Sequence, residues 1–172
     1  MATIDELTSE LAALRARVGN TEAVLAIHNL KSRYADLVDS RFSRGRLVDD
    51  DQLATAAAAI AATFAVDGVW DGGPALGVAL GREEIAAQMR SSKLTFSRHF
   101  FVKPQITANG DRARGRWDIL SPCTTPDGVP HWMCGYEDDE YVLVDGEWLH
   151  ESMRLTTVFM APATEGWGRI FV

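Results

Sequence analysis

The chain has 172 residues, 47% of them hydrophobic and 24% charged, which suits one domain with a real core and crowds two. A formal charge of −7 leaves no basic footprint for nucleic acid or an anionic membrane surface, so a small molecule is the expected partner. No apolar run approaches the roughly 18 residues of a membrane span. Cys123 and Cys134 are the only cysteines, and the opening Met-Ala-Thr-Ile-Asp-Glu lacks a basic region and an apolar signal core, which predicts a cytoplasmic protein with free thiols.

Thr3-Ile4-Asp5-Glu6 is a capping-box pattern, and Ile4, Leu7, Leu11, Leu14 and Val18 follow a/d spacing until Gly19, predicting a first amphipathic helix over residues 1–19. A second helix is expected from Thr21-Glu22 to about Asp39, with Ile27, Leu30, Tyr34, Leu37 and Val38 on its inner face. Asp39 then sits at the C-terminal end, where the helix dipole disfavours a negative charge, so its carboxylate wants a cation or a donor; Arg41 and Arg44 in the next loop are one source. Asp49, Asp50 and Asp51 read as the charged N-terminus of a helix from about Gln52 to Phe64. A turn at Asp67-Gly68, a short strand to Asp71, a break at Gly72-Gly73-Pro74 and a short helix Gly81 to Met89 follow.

The remaining chain reads as long antiparallel strands. Asn109-Gly110 is a strong hairpin signal between Phe96 to Thr107 and Arg112 to Thr124; Thr125 to Gly128 and Asp145-Gly146 are the next turns, leading into Val129 to Val144 and Glu147 to Phe159. If Asn109 and Gly110 form a two-residue loop, His99 lies opposite Leu120 and Phe101 opposite Asp118, on one face. Extending this register collects His99, Asp118, Arg116, His131, Glu137, Asp139, His150 and Arg154 on that face. The other face collects Phe100, Val102, Trp117, Ile119, Trp132, Cys134, Tyr136, Met153, Leu155 and Phe159. A polar face under helices implies a pocket, and an apolar back implies another cover, most simply a second subunit. Helices first and a meander last argue for an α+β domain in which helices cover one face of a curved antiparallel sheet.

Tyr34-x4-Asp39, the Gly-Arg-Glu-Glu-Ile helix, Arg98-His99-Phe100 on a strand and a final Asp-Gly-Glu-Trp strand carrying Arg154 make the chain resemble the SnoaL-like branch of the nuclear-transport-factor-like superfamily, over residues 22 to 160. Within it the pattern looks most like the cofactor-free lyases scytalone dehydratase, bile-acid 7α-dehydratase and hexachlorocyclohexane dehydrochlorinase. The resemblance implies a cone-shaped α+β barrel whose curved antiparallel sheet and N-terminal helices enclose the pocket, in a homo-oligomer, a trimer or dimer, with a histidine–aspartate pair in that pocket, matched here by His99 and Asp39, and with Tyr34, Arg154 and Asp118 as further catalytic candidates.

Trp70, Phe101, Leu120 and His131 are the expected substrate contacts. The four histidines show no close ligand spacing and the two cysteines stand eleven apart, so no zinc site is expected, and the absence of a glycine-rich phosphate loop leaves nucleotide cofactors without support. The expectation is a cofactor-independent lyase that eliminates water or another small group from a hydrophobic aromatic, polyketide or steroid-like molecule. A retro-aldol lyase or a polyketide cyclase or isomerase in the same pocket, and a non-catalytic binding or assembly module, are the alternatives. The chain is read as one domain over residues 1–172, with the tail from residue 161 to 172, including Trp167, Ile170 and Phe171, folding back over the pocket mouth or a neighbour.

Overall fold

Where a break at Gly19 is expected, the first 36 residues of secondary structure form one uninterrupted helix, α1 (Ile4–Asp39). The computed structural model describes residues 2–164, so Trp167, Ile170 and Phe171 of the expected tail lie outside the described residues. The capping box forms as expected, with the Thr3 amide donating to Glu6 at 2.7 Å and the Glu6 amide to Thr3 Oγ1 at 3.3 Å. Gly19 costs the helix about 1 kcal/mol relative to alanine but removes no hydrogen bond. Thr21 does not cap a new helix either: its hydroxyl donates back to the Arg17 carbonyl at 3.0 Å, within the same one. The a/d stripe of the N-terminal half is exposed, from 47% at Leu11 and Val18 to 82% at Ile4, and burial begins at Ala23.

After α1 come a small ribbon, β1 (Phe42–Ser43) and β2 (Arg46–Leu47), helix α2 (Asp50–Ala61), strand β3 (Phe64–Asp71), the helical turn α3 (Gly73–Leu76), strand β4 (Val78–Leu80) and helix α4 (Gly81–Arg90). The strands β5 (Phe96–Ser97), β6 (Phe100–Asn109), β7 (Arg112–Thr124), β8 (Pro130–Val144) and β9 (Glu147–Pro162) follow. Asp49 caps α2 by accepting from the Gln52 amide at 2.8 Å. Among the described residues seven strands make one strongly curled half-barrel in the order β4-β3-β9-β8-β7-β5, with β6 also on β7. The sheet is mixed, because β3 runs parallel to β9 and the meander between them frees that pair from any hairpin constraint. Tyr34 and Val38 of α1, Ile60 of α2, Phe64 of β3, Ile85 of α4 and Met153 of β9 meet in the core between helices and sheet, each large apolar side chain contributing about 1.5–3 kcal/mol.

The register differs from expectation in a way that reassigns the faces. Asn109 pairs with Arg112, so Gly110 and Asp111 form the turn. The pairing then shifts between Val102 and Gln105, where Lys103 has φ +50° and Pro104 has no amide to donate. Proline in an edge strand marks such a bulge. Phe101 therefore lies opposite Ile119, and Phe100 opposite Leu120. On β7 the side chains of Trp117, Ile119, Ser121 and Cys123 turn under the helices, whereas Arg116 and Leu120 face away. A second shift, between Glu140 and Tyr141, places Arg154 opposite Asp138 and leaves Glu137 opposite Leu155.

The two faces are thus neither polar nor apolar throughout. The helix-covered face carries Phe101, Trp117, Ile119 and Met153 together with His99, Glu137, Asp139 and His150. The outer face carries Phe100 and Val102 beside Arg116, Asp118 and Arg154.

Candidate active site

Asp39 ends α1 with its side chain 3% exposed, at the helix terminus least hospitable to an anion. Donors converge on it. The His99 amide donates to Oδ1 and Oδ2 at 3.1 and 3.3 Å, Arg98 Nε lies 3.1 Å from Oδ2, and His99 Nδ1 lies 2.7 Å from Oδ1. A carboxylate only accepts, so Nδ1 carries a hydrogen, and in the neutral imidazole that tautomer leaves the lone pair on Nε2. Asp39 thus finds its donors on the segment between β5 and β6 rather than in its own loop. Arg41 turns elsewhere, donating from Nε to the Val38 carbonyl and from Nη1 to the Met89 carbonyl, both at 3.0 Å.

His99 lines a cavity of about 140 Å³ between the sheet and the helices, whose wall also includes Tyr34, Arg41, Trp70, Glu137 and Met153. Tyr34 is held by Trp70, whose Nε1 donates to the phenol oxygen at 3.1 Å. That contact consumes a lone pair and leaves the hydroxyl proton available to the cavity. Burial, reinforced by the negative charge of Glu137, pushes the Tyr34 hydroxyl far above the usual tyrosine range, so it stays a neutral donor. Arg41 is 8% exposed, and burial lowers its affinity for its proton; the delocalised guanidinium remains a cation.

The other candidates stand apart. Arg154 is on the outer face, its Nε 3.1 Å from Asp71 Oδ2 and its side chain 73% exposed, so it donates nothing to the cavity. Asp118 pairs with Lys103 on that same outer face. Leu120 points outward as well, and both move for one reason, the bulge at Lys103-Pro104. Phe101 faces inward beside the site, its ring stacked 6.2 Å from that of His99. His131 bonds through Nδ1 to the Val129 carbonyl at 2.9 Å, at the end of the sheet and off the cavity wall. Trp70 does line the cavity.

Sequence reasoning missed Lys31. It is 1% exposed, donating from Nζ to Glu137 and, at 2.7 Å, to Asp139. Tyr141 donates to Asp139 at 2.7 Å and accepts from Trp117 Nε1 at 2.9 Å, which ties the cluster into the core. A signal existed: Lys31 lies four residues after Ile27 and three before Tyr34, on the buried stripe, and Glu137 and Asp139 share one strand face. Among the described residues no group of three His, Cys, Asp or Glu is placed to hold a metal ion, and no helix is long and apolar enough to cross a membrane.

Solved structures share this architecture. A LinA-type3 hexachlorocyclohexane dehydrochlorinase from Novosphingobium barchaimii superposes with a TM-score of 0.67 at 16% identity, over 83% of this chain and 90% of that one. A candidate scytalone dehydratase from Novosphingobium aromaticivorans gives 0.64 at 18% identity, covering 91% of both chains. A protein of unknown function from Mycobacterium tuberculosis gives 0.62 at 20%, over 78% of this chain and 76% of that one. Identities this low carry the fold and not the reaction. No curated protein matches the sequence. The sequence profile of the SnoaL-like domain matches residues 20–154, a stretch that takes in the buried part of α1, the cavity wall and most of the sheet, and by that match the chain belongs to the SnoaL-like family.

Proposed function

We propose that the chain is a lyase that eliminates water or another small leaving group from a hydrophobic molecule bound in the cavity, with His99 as the base. The observation that carries this reading is the 2.7 Å contact between His99 Nδ1 and Asp39 Oδ1 at the cavity wall. Nε2 takes the substrate proton, and Asp39 holds the tautomer and stabilises the imidazolium that forms. Tyr34 donates to the oxygen on which negative charge develops, and Arg41 supplies positive potential in place of Arg154. No step of this scheme is assigned to a cofactor.

Two named relatives of the same fold, a dehydrochlorinase and a candidate scytalone dehydratase, support elimination as the reaction class. A retro-aldol cleavage starts from the same proton transfer beside a stabilised oxyanion. An aldol cyclisation starts from the same step, without Asp118, which pairs with Lys103 on the outer face. The experiment is a turnover assay on β-hydroxy ketones, scytalone and halogenated cyclohexanes, with the product identified by mass. Elimination that His99→Gln abolishes supports the reading. Binding without turnover across the panel contradicts it and leaves a ligand-binding module.

A further inference from the structure

The ion cluster under the cavity leaves two carboxylate oxygens without a donor, Asp139 Oδ1, which is sealed in, and Glu137 Oε1, whose residue is on the cavity wall. Glu137 is 5% exposed and lies on the inward face of β8, opposite Trp117 and Leu155. Lys31 holds its Oε2, while Oε1 accepts from no described residue. The Lys31 ammonium is fully committed, to Glu137, to Asp139 at 2.7 Å and to the face of the Phe101 ring 4.3 Å away. It fixes where the carboxylate stands without occupying both oxygens. A carboxylate oxygen beside Trp70, Met153 and Leu155 costs free energy until a donor reaches it, and the low dielectric that creates the cost strengthens the bond once made.

The donor it suits is neutral. Lys31 behind Glu137 and Arg41 in the same cavity wall already balance the charges of Glu137 and Asp139, so the free oxygen lacks a hydrogen and not a further cation. A hydroxyl supplies that hydrogen without adding charge. Position matters as well. His99 follows the line of β6 beside Ser121, four residues along β7 from Trp117, so the base and Glu137 stand roughly 13 Å apart along the strand.

We propose that Glu137, held by Lys31, is the acceptor in this cavity for a hydroxyl group of the ligand, remote from the atom that His99 deprotonates, so that the site takes hydroxylated hydrophobic molecules, phenols or alcohols, in preference to their ethers. The proposal rests on the reading of the cavity as a ligand site and adds what that ligand carries.

The test compares 2-naphthol with 2-methoxynaphthalene, alike in shape and differing in the donor, by calorimetry on the intact chain. The naphthol binds at least about 10-fold more tightly, as expected of a hydrogen bond to a buried charge. Glu137→Gln brings the two within about 2-fold, and it strengthens binding of 2-acetylnaphthalene, because the new amide keeps its oxygen on Lys31 and presents its NH₂ to the cavity. Should Glu137→Gln fail to fold, the wild type answers alone: with ¹³C-carboxyl-labelled glutamate, the Glu137 resonance moves with 2-naphthol and stays with the ether. Equal affinities with an unmoved carboxyl resonance overturn the proposal and leave the cavity reading standing. Failure of both naphthalenes to bind overturns the cavity reading, and the proposal with it.

Discussion

Lys31 Nζ lies 2.7 Å from Asp139 Oδ2 and also holds Glu137, so one buried ammonium serves two buried carboxylates. Burial first, reinforced by the charge of Glu137 and eased by Lys31, pushes the Asp139 carboxyl up to about 6 from its ordinary 3.8. For Lys31, burial acts downward but the two acids outweigh it, and its ammonium is held above the usual lysine range. Both shifts run upward, yet the first disfavours the ionised acid and the second favours the ionised base, because one cation is shared between two acids. A carboxyl raised on folding contributes stability that is full below about pH 3.8 and lost as pH rises through about 6. His150, held well below its usual 6.5 by burial, works oppositely: its contribution is present above 6.5 and lost as pH falls. Asp139→Asn isolates the first effect. Urea unfolding should show the wild type losing stability relative to this variant between about pH 4 and 6, and a difference independent of pH would contradict it.

Removing the cation should cost far more than removing a surface one. Lys31→Met leaves Glu137 and Asp139 buried with no counter-ion, and we expect a loss of about 3–5 kcal/mol. Arg116→Ala breaks the exposed Arg116–Asp138 pair and a contact over the Tyr136 ring, and should cost far less because solvent screens that pair. Equilibrium unfolding of both variants checks the contrast.

Tyr34→Phe tests the donor opposite the base. The change removes the hydroxyl proton offered to the cavity and leaves Trp70 Nε1 without its acceptor. Turnover should fall by about 10²–10³, the usual effect of losing one oxyanion donor, and stability by about 1–3 kcal/mol. Turnover within 3-fold of wild type would assign Tyr34 to packing alone.

Much of the element order was legible because capping boxes, Asp-Gly and Asn-Gly turns and two-residue alternation are local signals: α2, α4, the β6–β7 hairpin and the β8–β9 hairpin fall close to where they were expected. Which face each strand presents is not local. The turn at Gly110-Asp111 moves the register by two and keeps the faces, but one extra residue at Lys103-Pro104 sent Asp118 and Leu120 outward, and the Glu140–Tyr141 shift did the same to Arg154. The contact between Asp39 and His99 is legible only through resemblance, since sixty residues separate them and no periodicity relates a helix end to a strand start. Lys31 escaped for another reason: lysine on a helix is ordinarily solvated, and only its place on the Ile27–Tyr34 stripe argued otherwise.

The measurement closest to the central claim is the double-mutant cycle on His99 and Asp39, read as turnover of whichever eliminated substrate the panel yields. His99→Gln should lower turnover by about 10²–10⁴ with the fold retained, and Asp39→Asn should lower it too, because the amide can present its NH₂ to the imidazole and favour the wrong tautomer. Since the two act as one unit across a 2.7 Å contact, the double variant should lose little more than the worse single one. Losses that add in full would separate Asp39 from the chemistry, and a folded His99→Gln variant with wild-type turnover would contradict the account outright.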